Sequence, residues 1–143
     1  MDPPEQLSLR ELAAALRARR MTADELLTRA LANRRLGAYR AVDEDLARAQ
    51  AAAADAAWAA GRDAGPLQGI PLSIKDLYGV AGHRTFAGCP APLPARFERA
   101  GPVVQALVDQ LAVVVGKTHT VQFAFGGMGT NPHHPTPLNP WDE

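Results

Sequence analysis

Serine is scarce in this sequence: 143 residues hold two, Ser8 and Ser73. Cysteine is scarcer. Cys89 stands alone, so no internal disulfide can form, which fits a reducing compartment. No sign of charge predominates, with 15 basic and 15 acidic side chains. That balance excludes the basic surface expected of a nucleic-acid or anionic-membrane binder, and no acidic tail appears. Long hydrophobic runs are missing too. None exceeds five residues, and Leu111 to Val115 is strand-sized and far short of a membrane span. The N-terminal MDPPEQLSLRELAAALRARR has no uninterrupted apolar core behind basic residues, so it does not read as a secretory signal. A soluble cytoplasmic protein is expected, with neither nucleic acid nor membrane among its partners.

What is present is a chain with 47% hydrophobic residues, enough for one modest domain with a packed core. Residues 1–61 read as helical. Ser8 with Glu11 has capping-box spacing, and Leu9, Leu12, Ala13 and Leu16 then fall on one face. Thr22 with Glu25 repeats the signal and opens a second helix with Leu26, Leu27, Ala30 and Leu31 inward. Asp43 opens a third, alanine-rich helix through Trp58, stopped near Gly61.

Character changes at Gly65-Pro66, and residues 65–143 read as the start of an α/β core. Ile70, Leu72 and Ile74 share one face of a strand, with Ser73 and Lys75 on the other. A glycine- and proline-rich loop follows. Gly101-Pro102 then starts a helix with Val103, Val104, Leu107, Val108 and Leu111 inward. Ala112 to Val115 has the composition of a strand buried on both faces. Strand, helix, strand predicts a parallel crossover in an α/β sheet. Gly126 to Glu143 is loop-like, with Asn131-Pro132 and Asn139-Pro140 as turn signals.

Two stretches are specific: Gly65-Pro66-Leu67-Gln68-Gly69-Ile70-Pro71-Leu72-Ser73-Ile74-Lys75-Asp76, and the ordered set from Val115-Gly116-Lys117-Thr118 through Gln122 to Gly127, Asn131-Pro132-His133, Thr136-Pro137 and Asn139-Pro140-Trp141-Asp142. Together they resemble the amidase signature family over about two thirds of the chain. The resemblance implies a mixed sheet with flanking helices, incomplete here. It implies hydrolysis of amide C–N bonds by a serine, a second serine in a cis peptide, and a lysine, with no metal and no organic cofactor. Lys75 is the position onto which the motif carries the catalytic lysine. A free lysine is protonated at neutral pH. An amine held in a low-dielectric site among hydrogen-bond acceptors gives up its proton more readily and can act as a base. The two serines and the oxyanion-binding amides of the family follow the Asn-Pro-Trp-Asp element, where this sequence ends. One triad member of three is therefore expected within these 143 residues, and an inactive chain.

Other signals are weaker. Phe123 to Gly127 is the candidate substrate-facing loop, with Phe123, Ala124, Gly126 and Gly127 as contacts; a plain glycine turn after a buried phenylalanine is the alternative. Gly116-Lys117-Thr118 ends like a phosphate-binding loop, but that motif needs glycine five positions before Gly116, where Leu111 stands. The family usually has glycine there to end the helix, so strain is expected at Leu111. Lys117 reads as structural. His119, His133 and His134 match no closed zinc spacing, and Cys89 reads as a packed or loop thiol. The partner expected is a small-molecule amide. Two other readings stay open: the glutamine-hydrolysing subunit of a tRNA-dependent amidotransferase, and a non-catalytic remnant or interaction fragment.

Overall fold

The computed structural model describes residues 6–32 and 34–141. Four α-helices, Leu9–Arg17 (α1), Ala23–Ala32 (α2), Glu44–Ala59 (α3) and Pro102–Asp109 (α4), surround three strands, Tyr39–Val42 (β1), Pro71–Lys75 (β2) and Val113–Thr118 (β3). The sheet order is β1-β3-β2. β2 runs parallel to β3, as the strand–helix–strand reading required, and β1 runs antiparallel to it.

The helix starts follow the sequence signals. Ser8 and Glu11 form a complete capping box at α1. Thr22 and Glu25 exchange the same pair of bonds before α2, at 2.8 and 3.1 Å. Asp55 of α3 adds a tertiary cap, accepting from Ala23 N–H at 2.8 Å. Asp43 caps α3 through Leu46 N–H at 3.0 Å.

β1 lies inside the stretch expected to be helical. It is four residues long, between Gly37, which has φ +67°, and the Asp43 cap. Tyr39 and Val42 are strand formers, and pairing with them covers the outer edge of β3. The N-terminal part, through β1, and the α/β segment therefore contribute strands to one sheet.

Val113 and Val115 pack with Ala23, Leu27, Ala47, Ala51 and Ala54 of α2 and α3. Val114 packs on the other face with Ile74, Val80 and Val104. β3 is thus buried on both faces, as its composition predicted. Its pairing with β2 slips by one residue between Leu72 and Ser73, and Gln50 of α3 accepts from Val114 N–H at 2.7 Å. Gln68 is buried and donates to the carbonyls of Ala54 and Arg62, tying the turn before β2 to α3.

Three apolar positions expected to face inward do not. Leu9, Val103 and Val108 are exposed. Leu9 is the first residue of α1, and of α4 only Val104 is buried. α4 meets the sheet along a narrow line, so the flanks of its apolar stripe stay in solvent. The strain expected at Leu111 is present. With φ +57° it is the left-handed residue of a Schellman turn, closed by Leu111 N–H to Val108 O (2.8 Å) and Ala112 N–H to Leu107 O (3.3 Å).

Candidate active site

Lys75 ends β2 at the carboxyl edge of the parallel pair, the edge where open α/β sheets bind ligands. The register sets Lys75 opposite Thr118 and Ser73 opposite Gly116, while Tyr39 of β1 also stands opposite Thr118. These residues share one sheet face. Gly116 has no side chain to block the way, and the Tyr39 hydroxyl reaches across it to Ser73 Oγ at 2.6 Å. The Lys75 side chain is exposed and has no hydrogen bond or ion pair with another described residue. The low-dielectric surroundings that the resemblance implies for it are not supplied by the described residues. The Lys75 carbonyl accepts from Leu77 and Tyr78 N–H at 2.7 and 3.0 Å, which fixes the turn beyond the strand.

The opposite face is closed. Asp76 and Lys117 are 1% and 0% exposed, with Lys117 Nζ 3.1 Å from Asp76 Oδ1. Phe86 N–H donates to both Asp76 oxygens at 3.2 Å. Lys117 Nζ also donates to Thr85 Oγ1 at 3.1 Å, and the Thr85 hydroxyl donates to Phe97 O at 3.0 Å. Lys117 is therefore held inside the fold by Asp76 and Thr85. Its burial was not legible. The slip in the β2–β3 register turns it inward opposite Ile74, where a lysine at a strand end would ordinarily reach water.

Ala87 connects Lys75 to the candidate substrate loop. Its N–H donates to Asp76 O at 3.0 Å, and its carbonyl accepts from Phe123 N–H at 2.7 Å. Ala87 is buried and left-handed, with φ +51°. Phe123 and Ala124 are left-handed as well, at +51° and +55°, two successive non-glycine residues in a conformation that costs energy. Phe123 and Phe125 are both exposed, Phe125 at 94%, so the turn does not follow a buried phenylalanine. Gly126 and Gly127 are exposed beside them, and a Cβ on Gly127 would meet no atom within 4 Å.

Two of the histidines have ring bonds to their surroundings. His119 Nε2 bonds Gly129 O at 2.9 Å. His134 Nε2 accepts from Arg40 Nε at 3.1 Å, and Arg40 lies 3.8 Å over the Phe86 ring. Burial first, then the Arg40 charge, pushes the His134 pKa down, while a bond to the Cys89 backbone opposes them. The Asn131 amide nitrogen donates to the carbonyls of Gly88 (2.8 Å) and Thr120 (3.0 Å), clasping two loops. Cys89 Sγ accepts from Gln122 Nε2 at 3.5 Å. Among the described residues no group of three or more His, Cys, Asp or Glu could hold a metal ion. His83 carries no signal in the sequence that would single it out. It is 4% exposed, and its Nε2 has no hydrogen-bond partner among the described residues. A cleft of about 650 Å³ runs past His83, Arg84 and the start of α3, but Lys75 does not line it.

The Amidase family model matches residues 22–143. The chain belongs to the amidase family. It is 51% identical over 140 residues to the 2-amino-5-chloromuconic acid deaminase of Comamonas testosteroni, covering 94% of this chain and 30% of that protein. It is 40% identical to a glutamyl-tRNA(Gln) amidotransferase subunit from Cupriavidus metallidurans, with 94% and 28% covered. Among solved structures, an amidase crystal structure superposes with TM-score 0.83 at 35% identity, over 91% of this chain and 31% of that one. The peptide amidase of Stenotrophomonas maltophilia gives 0.77 at 31%, over 85% and 26%. The chain spans about 30% of the length of the curated relatives it matches. The Asp142 of the Asn-Pro-Trp-Asp element lies outside the described residues; Trp141 is 93% exposed. No helix among the described residues is long and apolar enough to cross a membrane.

Proposed function

We propose that this segment supplies the lysine of a serine–cis-serine–lysine amide hydrolase, with Lys75 as the base. The observation that carries the reading is the position of Lys75. It ends the strand beside β3 at the ligand-binding edge, its side chain is exposed, and Ala87 ties its strand end to the Phe123–Gly127 loop. In the complete enzyme the neutral Lys75 amine takes a proton from the bridging serine, which takes one from the nucleophilic serine as that oxygen attacks the amide carbon. One proton passes from the Lys75 ammonium back through the bridging serine to the leaving nitrogen as the C–N bond breaks, and water then hydrolyses the acyl-serine by the same relay. Neither serine of this chain suits the nucleophile's role. Ser8 caps α1 and Ser73 is bonded to Tyr39.

Within the family, a free-standing hydrolase of a small C–N substrate is favoured over a component of an amidotransferase. The identity to the Comamonas deaminase is 51%, against 40% to the Cupriavidus protein over a similar length. The GGMGTNPH stretch at residues 126–133 agrees with that choice. Location in the cytoplasm is part of the same proposal.

The test is ammonia or amine release from a panel of aryl and aliphatic amides. The 143-residue chain alone is expected to give no turnover above buffer. Turnover that disappears in Lys75→Ala would contradict the account, since it would require a nucleophile among these residues.

A further inference from the structure

Asp76 follows Lys75 directly, and each of its polar groups is engaged. Its N–H donates to Thr118 O at 3.2 Å and its carbonyl accepts from Ala87 N–H at 3.0 Å. Its carboxylate accepts from Phe86 N–H and from Lys117 Nζ. One residue thus joins β2, β3 and the 85–87 loop just behind the lysine. The backbone bonds would form with any residue at this position. The carboxylate bonds depend on Lys117, because a buried carboxylate without a cation is driven toward water or protonation. Without Lys117 the side chain at position 76 loses its ion pair, and the strand end is held by the backbone bonds and the Phe86 N–H alone.

We propose that Lys117 is a positioning residue for Lys75: by holding the Asp76 carboxylate in the core it fixes the strand end from which Lys75 projects and the Ala87 link to the Phe123 loop. The proposal rests on the amidase reading of Lys75. Lys117 touches no substrate. It acts through Asp76, on the face of the sheet away from the chemistry. Thr85 serves the same hub from the loop side, passing the Lys117 bond on to Phe97 O. A lysine buried on β3 is thereby given a task beyond stability: keeping the lysine of β2 in register with the loop.

The experiment compares Lys117→Met and the double variant Asp76→Asn/Lys117→Met in the complete amidase that carries this segment. Tm, kcat and KM are measured for one amide, with hydrogen exchange at the Asp76 and Ala87 amides. The double variant removes both charges, so it is expected to fold and to recover most of the parent's Tm even if Lys117→Met does not fold. In the double variant kcat should nonetheless stay at least roughly tenfold below the parent, with KM changed less than about twofold, as misplacement of a catalytic group demands. The Ala87 amide should exchange faster while the centre of β2 stays protected. Parental kcat together with parental Ala87 protection in a double variant of parental Tm would overturn the proposal and leave the pair purely structural. Lys75→Ala in the parent separates the two readings. If it keeps full activity, the amidase role of Lys75 fails, while the exchange data still decide whether Lys117 holds the strand end.

Discussion

The Tyr39 hydroxyl and Ser73 Oγ stand 2.6 Å apart, joining the two outer strands of the sheet across the middle one. The bond is possible because β3 carries glycine at the crossing. A Cβ on Gly116 would overlap the Ala41 carbonyl oxygen and come within 3.2 Å of the Tyr39 ring. The glycine that suggested a phosphate loop is there to let β1 and the Tyr39 ring approach.

Gly116→Ala should therefore part β1 from β3 and destabilise the fold by about 1–3 kcal/mol. Thermal or denaturant unfolding measures it. Tyr39→Phe, which keeps the ring and loses one hydrogen bond, should cost no more than about 1.5 kcal/mol. A Gly116→Ala protein as stable as the parent would show that the close approach is not required.

Breaking the buried ion pair from one side should be more damaging. Lys117→Met leaves the Asp76 carboxylate without its cation in a site closed to water. The expected loss is about 3–5 kcal/mol, and Asp76→Asn added to it should restore most of that. Denaturant midpoints of the single and double variants decide. Equal loss in both would mean that packing, and not charge, sets the cost.

How far the sequence could be read depended on how local each signal was. The caps at Ser8, Thr22 and Asp43 are local chemistry within one turn, and all three appear in the structure as expected. The β2 and β3 strands and their parallel order followed from alternation at Ile70–Lys75 and the apolar run at Val113–Val115. β1 escaped because its four residues make sense only once β3 stands beside them. Lys75 was legible through its flanking motif. The burial of Lys117 was not, since it comes from a one-residue slip between two strands that no single-strand pattern encodes. The tasks of Ala87, Asn131 and Gln68 were hidden for a similar reason: each joins segments distant in sequence.

Stability should fall on the acid side of neutrality. Burial pushes the His83 pKa below its ordinary 6.5; the Lys117 charge pushes the same way, and Asp43 opposes it. A histidine depressed in the folded state favours folding fully above 6.5. That contribution is lost as pH falls from there toward the lower folded value. His134, also depressed, has the same sign. Tm should thus decline between about pH 7 and pH 5, and His83→Phe should make the decline shallower. A Tm that rises with acid over that range would contradict the assignment.

The central claim is that Lys75 is the base of an amide hydrolase, and the most direct measurement is the kcat/KM of Lys75→Ala in an enzyme that carries this segment together with the two serines of the family. The expected result is a loss of at least about a hundredfold with the unfolding transition unchanged, because the Lys75 side chain is exposed and bonded to no other described residue. Activity within a few-fold of the parent in a folded Lys75→Ala enzyme would contradict it, whatever family the chain belongs to.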